Sequence, residues 1–314
     1  MTVYALRRLA FGLSLVWAAS VVAFVVFCRS FDPLWTYALC RPGCDPARNA
    51  VIAKFHLDDS IVHRYLLWLT GLVHHGFGDS AVDGFAIGPQ LLRSAGVTAQ
   101  LLAAGFVLTL VFSVLLGAVA ARRRGAVDGI LRVLGYFTWS LPTFTMGLLL
   151  LRWLGPTHWF PAWYAGHGPV HWIRAMALPA ATLSLGLIGL YSRYVRTSMR
   201  SELRQPYAVV ARGKGLPESR VVYRHALRNS LVPFMSVLSL DLGAVVGSCL
   251  AAEYIFNMPG LAYFFLGGLQ RADPFVLTAI VVAIAVLVAF FSLMTDLLVG
   301  WLDPRVAVGS RALR

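Results

Sequence analysis

Long apolar runs separated by short basic segments dominate this chain. A helix that crosses a bilayer needs about 20 predominantly apolar residues. Six stretches meet that length: about Leu9–Cys28, Ala99–Ala121, Ile130–Leu154, Ala177–Val195, Leu231–Ala252 and Phe275–Trp301. The pattern predicts an all-α integral membrane protein with six transmembrane helices. Pro142 and Pro179 fall within or at the edge of these runs and predict kinks, which a bundle tolerates when neighbours satisfy the freed backbone groups.

Composition narrows the class further. Apolar residues make up 58% of the chain and charged residues 13%, against about 45–50% and about 25% in soluble proteins. The mean hydropathy is +0.71. These values exclude an ordinary soluble enzyme, a disordered chain and a disulfide-rich secreted scaffold.

The net charge of +13 would suggest nucleic acid in a soluble domain. Between membrane spans it sets topology instead, and no nucleic-acid partner is expected. With the N-terminus inside, the segments 1–8, 122–132, 193–229 and 303–314 carry 18 basic and 4 acidic residues. The opposite segments carry 9 and 8. The positive-inside rule therefore predicts both termini in the cytoplasm. The first apolar stretch exceeds a signal-peptide core and no small-residue cleavage site follows Cys28, so it reads as an uncleaved span.

Two connecting segments are too long to be simple links. The external loop, 29–98, contains an amphipathic stretch whose apolar positions 61, 62, 65, 66 and 69 share one helical face. It reads as an interfacial helix capping the bundle or as a contact for a soluble partner. The second segment, 197–233, is cytoplasmic, basic, and divided by Pro206, Gly213, Gly215 and Pro217. It predicts a short helix to Arg212, a turn, and a second helix from about Glu218 to Asn229. Such a helix–turn–helix suits a rigid knob that enters a cleft on a partner.

This segment resembles the coupling loop of ATP-binding-cassette importer permeases, and most closely that of the peptide-importer branch. The matching stretches are Ala211–Pro217, with Gly215 at the loop's glycine, and Arg224–Asn229; Val209 and Val210 replace the Glu and first Ala of the general consensus. The resemblance extends along the chain through His56–Asp59, Tyr65–Leu69, Gly76–Ser80, Leu116–Asp128, Ser140–Phe144, Glu253–Leu261, Asp273–Pro274, Asp296–Leu298 and Leu302–Arg305.

The resemblance implies a type I importer permease fold over 1–314, with a large external loop between helices 1 and 2. It implies a pore-forming, non-catalytic subunit in the inner membrane of a bacterium. Its partners would be a homologous second permease, two cytoplasmic ATPases that carry ATP and Mg, and an external substrate-binding protein. The chain lacks the Gly-x4-Gly-Lys-Ser/Thr phosphate loop, so it holds no nucleotide chemistry of its own. Ala211, Gly215, Leu216, Arg224 and His225 would dock the ATPase, with small residues permitting close backbone approach. Glu253, Asn257, Pro259 and Gly260 would meet the binding protein. Peptides are the expected cargo; nickel complexes, haem and glutathione travel through the same architecture.

Other residues leave alternatives open. Cys40 and Cys44 on the external side could close a small disulfide loop, remain free or bind a metal, while Cys28 and Cys249 read as packing residues. Asp241 lies mid-span, where a carboxylate is costly unless paired or hydrated. It and Pro142 are candidates for the translocation path, with a structural hydrogen bond or a protonated side chain as alternatives for Asp241. Asp296 reads as an interfacial pairing residue. The external histidines, including His74-His75 and His167-x3-His171, lack ligand partners at metal spacing, so no metal site is expected. A stand-alone secondary transporter would show inverted repeats, and a membrane-embedded enzyme or sensor would cluster its polar residues. Neither feature is present in the sequence.

Overall fold

The computed structural model describes residues 2–38, 45–122, 125–157, 160 and 169–302. Apart from an isolated β-bridge between Asp79 and Ala86, every regular element among the described residues is helical. In order these are α1 (Thr2–Ser30), α2 (Trp35–Ala38), α3 (Asp45–Phe55), α4 (Ile61–His75), α5 (Ile87–Arg122), α6 (Ala126–Ser140), α7 (Thr143–Leu154), α8 (Pro169–Glu202), α9 (Pro206–Gly213) and α10 (Glu218–Arg220). A π-helical segment, Val221–Ala226, then leads into α11 (Leu227–Leu240), α12 (Leu242–Ile255), α13 (Leu261–Gln270) and α14 (Pro274–Leu302).

The first, second, fourth and sixth apolar runs lie on α1, α5, α8 and α14, the four helices long and apolar enough to cross a membrane among the described residues. The third run does more than kink. It divides into α6 and α7, which meet at 105°. Proline disfavours the helical region for the residue before it, and Leu141 is extended at φ −81° and ψ 127°. The Pro142 carbonyl then accepts the Met146 amide and starts α7. The fifth run is also interrupted. Asp241 separates α11 from α12 at φ −88° and ψ −3°, in the sparsely populated bridge between the helical and extended regions.

The residues form two compact units. One comprises Met1–Leu9, Gln100–Met258 and Phe290–Arg314; the other comprises Ala10–Ala99 and Pro259–Ala289. In the first unit α8 is the central helix, packed against α6, α7, α11 and α12. It crosses α6 at Gly135 and Gly189, where a Cβ on Gly135 would stand 2.9 Å from the Gly189 carbonyl oxygen. Small residues at such crossings let membrane helices approach backbone to backbone. Directly after this crossing on α8, Tyr191, Val195 and Met199 pack with Ala118, Ala121, Val222, Phe234 and Met235 in a buried cluster.

The second unit contains the long loop between the first two apolar runs. Helices α2, α3 and α4 fill much of that loop, and α5 begins at Ile87, earlier than the predicted start of its span. Its core gathers Phe24, Ile87, Leu91, Leu261, Phe264 and Phe275, with Tyr65 and Trp68 of α4 packed against them. The packed face of α4 differs from the expected one. Ile61, Tyr65 and Trp68 turn inward, while Val62 and Leu66 are exposed. Spacings of four and three residues define the buried stripe, and large aromatic side chains fix it. Asp273 explains the Asp-Pro sequence before α14. Its Oδ1 caps the amides of Phe275 and Val276, and its Oδ2 accepts from Ser80 Oγ at 2.6 Å and the Val82 amide. One fully buried carboxylate thus starts a helix and fastens the turn before α5.

Candidate functional site

The basic segment after α8 folds into a short helix, a tight turn and a second helical stretch. Pro206 occupies the first turn of α9, where its missing N–H costs nothing. The helix ends at a Gly215 turn of Schellman type. The Leu216 amide donates to Ala211 O at 3.2 Å and the Gly215 amide to Arg212 O at 2.9 Å. Gly215 has φ +75° and nothing within 4 Å of a hypothetical Cβ. Within this chain its glycine is therefore required by backbone conformation; the close approach expected from the sequence is not made to the chain itself.

A two-armed ion pair braces the turn. Arg212 donates from Nε and Nη2 to both Glu218 oxygens, at 2.9 and 2.8 Å, and from Nη1 to Leu203 O. The hydrogen bond from Arg212 holds the Glu218 carboxyl below the usual carboxylate range, outweighing partial burial. Tyr207 donates its hydroxyl to Glu202 at 2.6 Å. Burial, followed by this hydrogen bond, raises the Tyr207 phenol.

The segment has distinct inner and outer faces. Ala208, Val221, Val222 and Ala226 are buried, whereas Val209 (59% exposed), Val210 (55%) and Tyr223 (49%) stand in the open. Of the residues named from the sequence, Gly215 and Arg224 are exposed and Ala211, Leu216 and His225 are half-buried. Arg224 lines an open depression with Pro217, Ser219, Arg220 and Tyr223. The sequence comparison marked Val209 and Val210 as departures from a consensus. They stand exposed as adjacent apolar side chains on a basic surface.

A buried charge cluster at the base of this segment escaped the sequence reading. Asp128 near the start of α6 is almost fully buried. Arg196 of α8 donates to both its oxygens, Arg200 lies 3.2 Å away, and Arg132 lies 3.8 Å away on the next turn of α6. Arg200 also donates to Ala120 O near the end of α5 at 2.9 Å. Three helices are thereby joined where the basic segment begins. The available signal was a lone carboxylate within the basic run 122–132.

The remaining candidates separate. Asp241 accepts a hydrogen bond from Tyr191 Oη at 2.7 Å, so its partner is the neighbouring α8. Pro142 is exposed at the α6–α7 break. Asn257 and Pro259 are exposed, and Asn257 adopts a left-handed φ of 49°. Gly260 is buried and Glu253 is 0% exposed. The expected surface role of Glu253 is corrected accordingly: its carboxylate is enclosed within the chain and cannot touch a docked protein directly. Asp296 pairs with Arg8 at 3.1 Å. Cys28 and Cys249 carry free thiols. Cys40, Cys44, His158 and His167 lie outside the described residues, as do the side chains of His74 and His75. Among the described residues no three His, Cys, Asp or Glu side chains gather as a metal site would require.

These features define a membrane protein of long helices with an exposed, braced basic segment. The chain belongs to the family of binding-protein-dependent transport system inner membrane components, whose model matches residues 113–308. It is similar to the oligopeptide transport system permease protein OppB of Mycobacterium tuberculosis, with 31% identity covering 98% of this chain and 100% of that protein. The dipeptide transport system permease protein DppB of Lactococcus lactis is 30% identical, with 98% and 99% covered. The oligopeptide transport system permease protein AppB of Bacillus subtilis is 28% identical, again with 98% and 99% covered. The chain is thus a membrane transport component, and the family is one that works with a binding protein.

Proposed function

We propose that this chain is one of two homologous permease subunits of an ATP-driven importer that carries di- or oligopeptides into the cell. Both termini and the segment 197–233 face the cytoplasm, where two ATPase subunits hold ATP and Mg. A substrate-binding protein delivers cargo from the other side, with Asn257 and Pro259 at its docking surface. The relatives named as peptide permeases support the cargo assignment through similarity along nearly their whole length.

The observation that carries the mechanism is the exposed pair Val209 and Val210 on a segment braced by Arg212 and Glu218. Apolar side chains held on a rigid turn can seat in a partner's cleft and pass its movement into α8 and α11. Nucleotide-driven movement of the ATPases would then change the spacing of the spans. Purifying the intact complex and identifying its ligand by mass spectrometry tests the cargo. Val210→Asp should retain membrane insertion but lose co-purification of the ATPases and uptake of a labelled dipeptide. Full co-purification and uptake by this variant would refute the docking role.

A further inference from the structure

We propose that the unit containing α3 and α4 carries a binding site for a small anionic group, a carboxylate or a phosphodiester. The site is a cavity of about 180 Å³ whose walls include Lys54, Phe55, Arg64, Trp68, Phe77 and Phe275. At about 30 Å³ per water molecule, it has room for an anionic head and a few attached carbons.

Two donors in its lining lack partners. Arg64 Nε and Trp68 Nε1 are both buried at the atom and make no hydrogen bond among the described residues. They stand four residues apart on α4, so they project from the same helical face. A buried donor without a partner forfeits its hydration with nothing in return, and a charged donor loses more. Both side chains line the same cavity, where a bound acceptor would supply their partner.

The charge balance specifies the sign of that acceptor. Lys54 is neutralised by Asp79 at 2.7 Å. His56 lies 3.2 Å from Asp59. Asp273 is committed to Ser80 and to the amides of Val82, Phe275 and Val276. Among the described residues Arg64 is left as the cation of the lining without a carboxylate partner. A guanidinium edge beside an indole N–H presents two donors to one planar or tetrahedral anion. The rings of Phe55, Phe77 and Phe275 would contact an apolar portion attached to it.

The test uses the intact complex in lipid nanodiscs. Tryptophan fluorescence, taken as the difference from Trp68→Phe, is followed during titration with sodium acetate in phosphatidylcholine nanodiscs, and compared with nanodiscs containing phosphatidylglycerol. A saturable response to acetate assigns a free carboxylate. A response only to phosphatidylglycerol assigns a lipid phosphate. In either case Arg64→Gln should weaken binding by about tenfold or more, and Arg64→Lys should recover part of the loss. A further variant, Trp68→Phe, keeps an aromatic ring while removing the N–H together with part of the indole. It should weaken the same ligand when binding is read by calorimetry. No response to either probe, or responses unchanged by both substitutions, would overturn the site.

Discussion

Arg196 grips both carboxylate oxygens of Asp128, joining α8 to the start of α6 immediately before the basic segment. Both side chains are largely withdrawn from solvent, at 17% and 8% exposure. The pair gives the basic segment a fixed base, because α8 leads into it directly and α6 can shift at this point only if the pair separates.

Removing one partner should therefore be severe. Asp128→Ala leaves Arg196 and Arg200 facing each other without their anion, a loss of about 3–5 kcal/mol for a buried pair. Thermal unfolding in detergent should show a marked decrease for this variant. The double variant Asp128→Leu/Arg196→Met should be more stable than Asp128→Ala alone, since it leaves neither charge unmatched.

Gly215 separates two reasons for a glycine. If its positive φ is what matters, Gly215→Asn should retain more ATPase co-purification than Gly215→Ala, because Asn tolerates the left-handed region better. A non-glycine residue there costs about 1–2 kcal/mol. Equal loss in both variants would mean that a partner's close approach sets the requirement.

The Arg212–Glu218 brace should depend on pH in one direction. The folded state lowers the Glu218 carboxyl below its ordinary value of 4.5. Its stabilisation is therefore fully present above that value and is lost as pH falls through the lowered folded value. Co-purification of the ATPases should be insensitive to this group near neutrality, and Glu218→Gln should weaken it there. The same variant should remove the acid-side dependence, as hydrogen exchange of the Gly215 and Leu216 amides would report.

Tyr191 and Asp241 offer a test of structural against transport roles. Tyr191→Phe deletes the donor and should destabilise the protein by about 1–3 kcal/mol. Asp241→Asn keeps an acceptor for the Tyr191 hydroxyl and should fold nearly normally. Uptake of cationic and neutral peptides by Asp241→Asn then isolates the charge. A selective loss for cationic cargo places Asp241 on the translocation path, and equal uptake leaves it a helix-to-helix anchor.

Asn257 should report the binding protein's approach. Its exposure on a short turn after α12 predicts that Asn257→Cys forms crosslinks to the substrate-binding protein. Crosslinks to the ATPase subunits instead would reverse the proposed orientation.

The sequence by itself located four of its six predicted spans, those on α1, α5, α8 and α14, and the Gly-broken basic segment between α8 and α11. Those properties are local, because run length, proline, glycine and charge act on neighbouring residues. The tertiary structure decided what those signals could not encode. Pro142 announced a bend, but only packing set it at 105°. The periodicity of α4 allowed more than one apolar face, and Tyr65 and Trp68 against Phe24 selected the buried one. Glu253 looked like a surface residue beside an exposed turn, yet the fold encloses it. Asp128 and Arg196 stand 68 positions apart. No pattern along the chain pairs them, and they meet only because close packing at Gly135 and Gly189 lays α6 against α8.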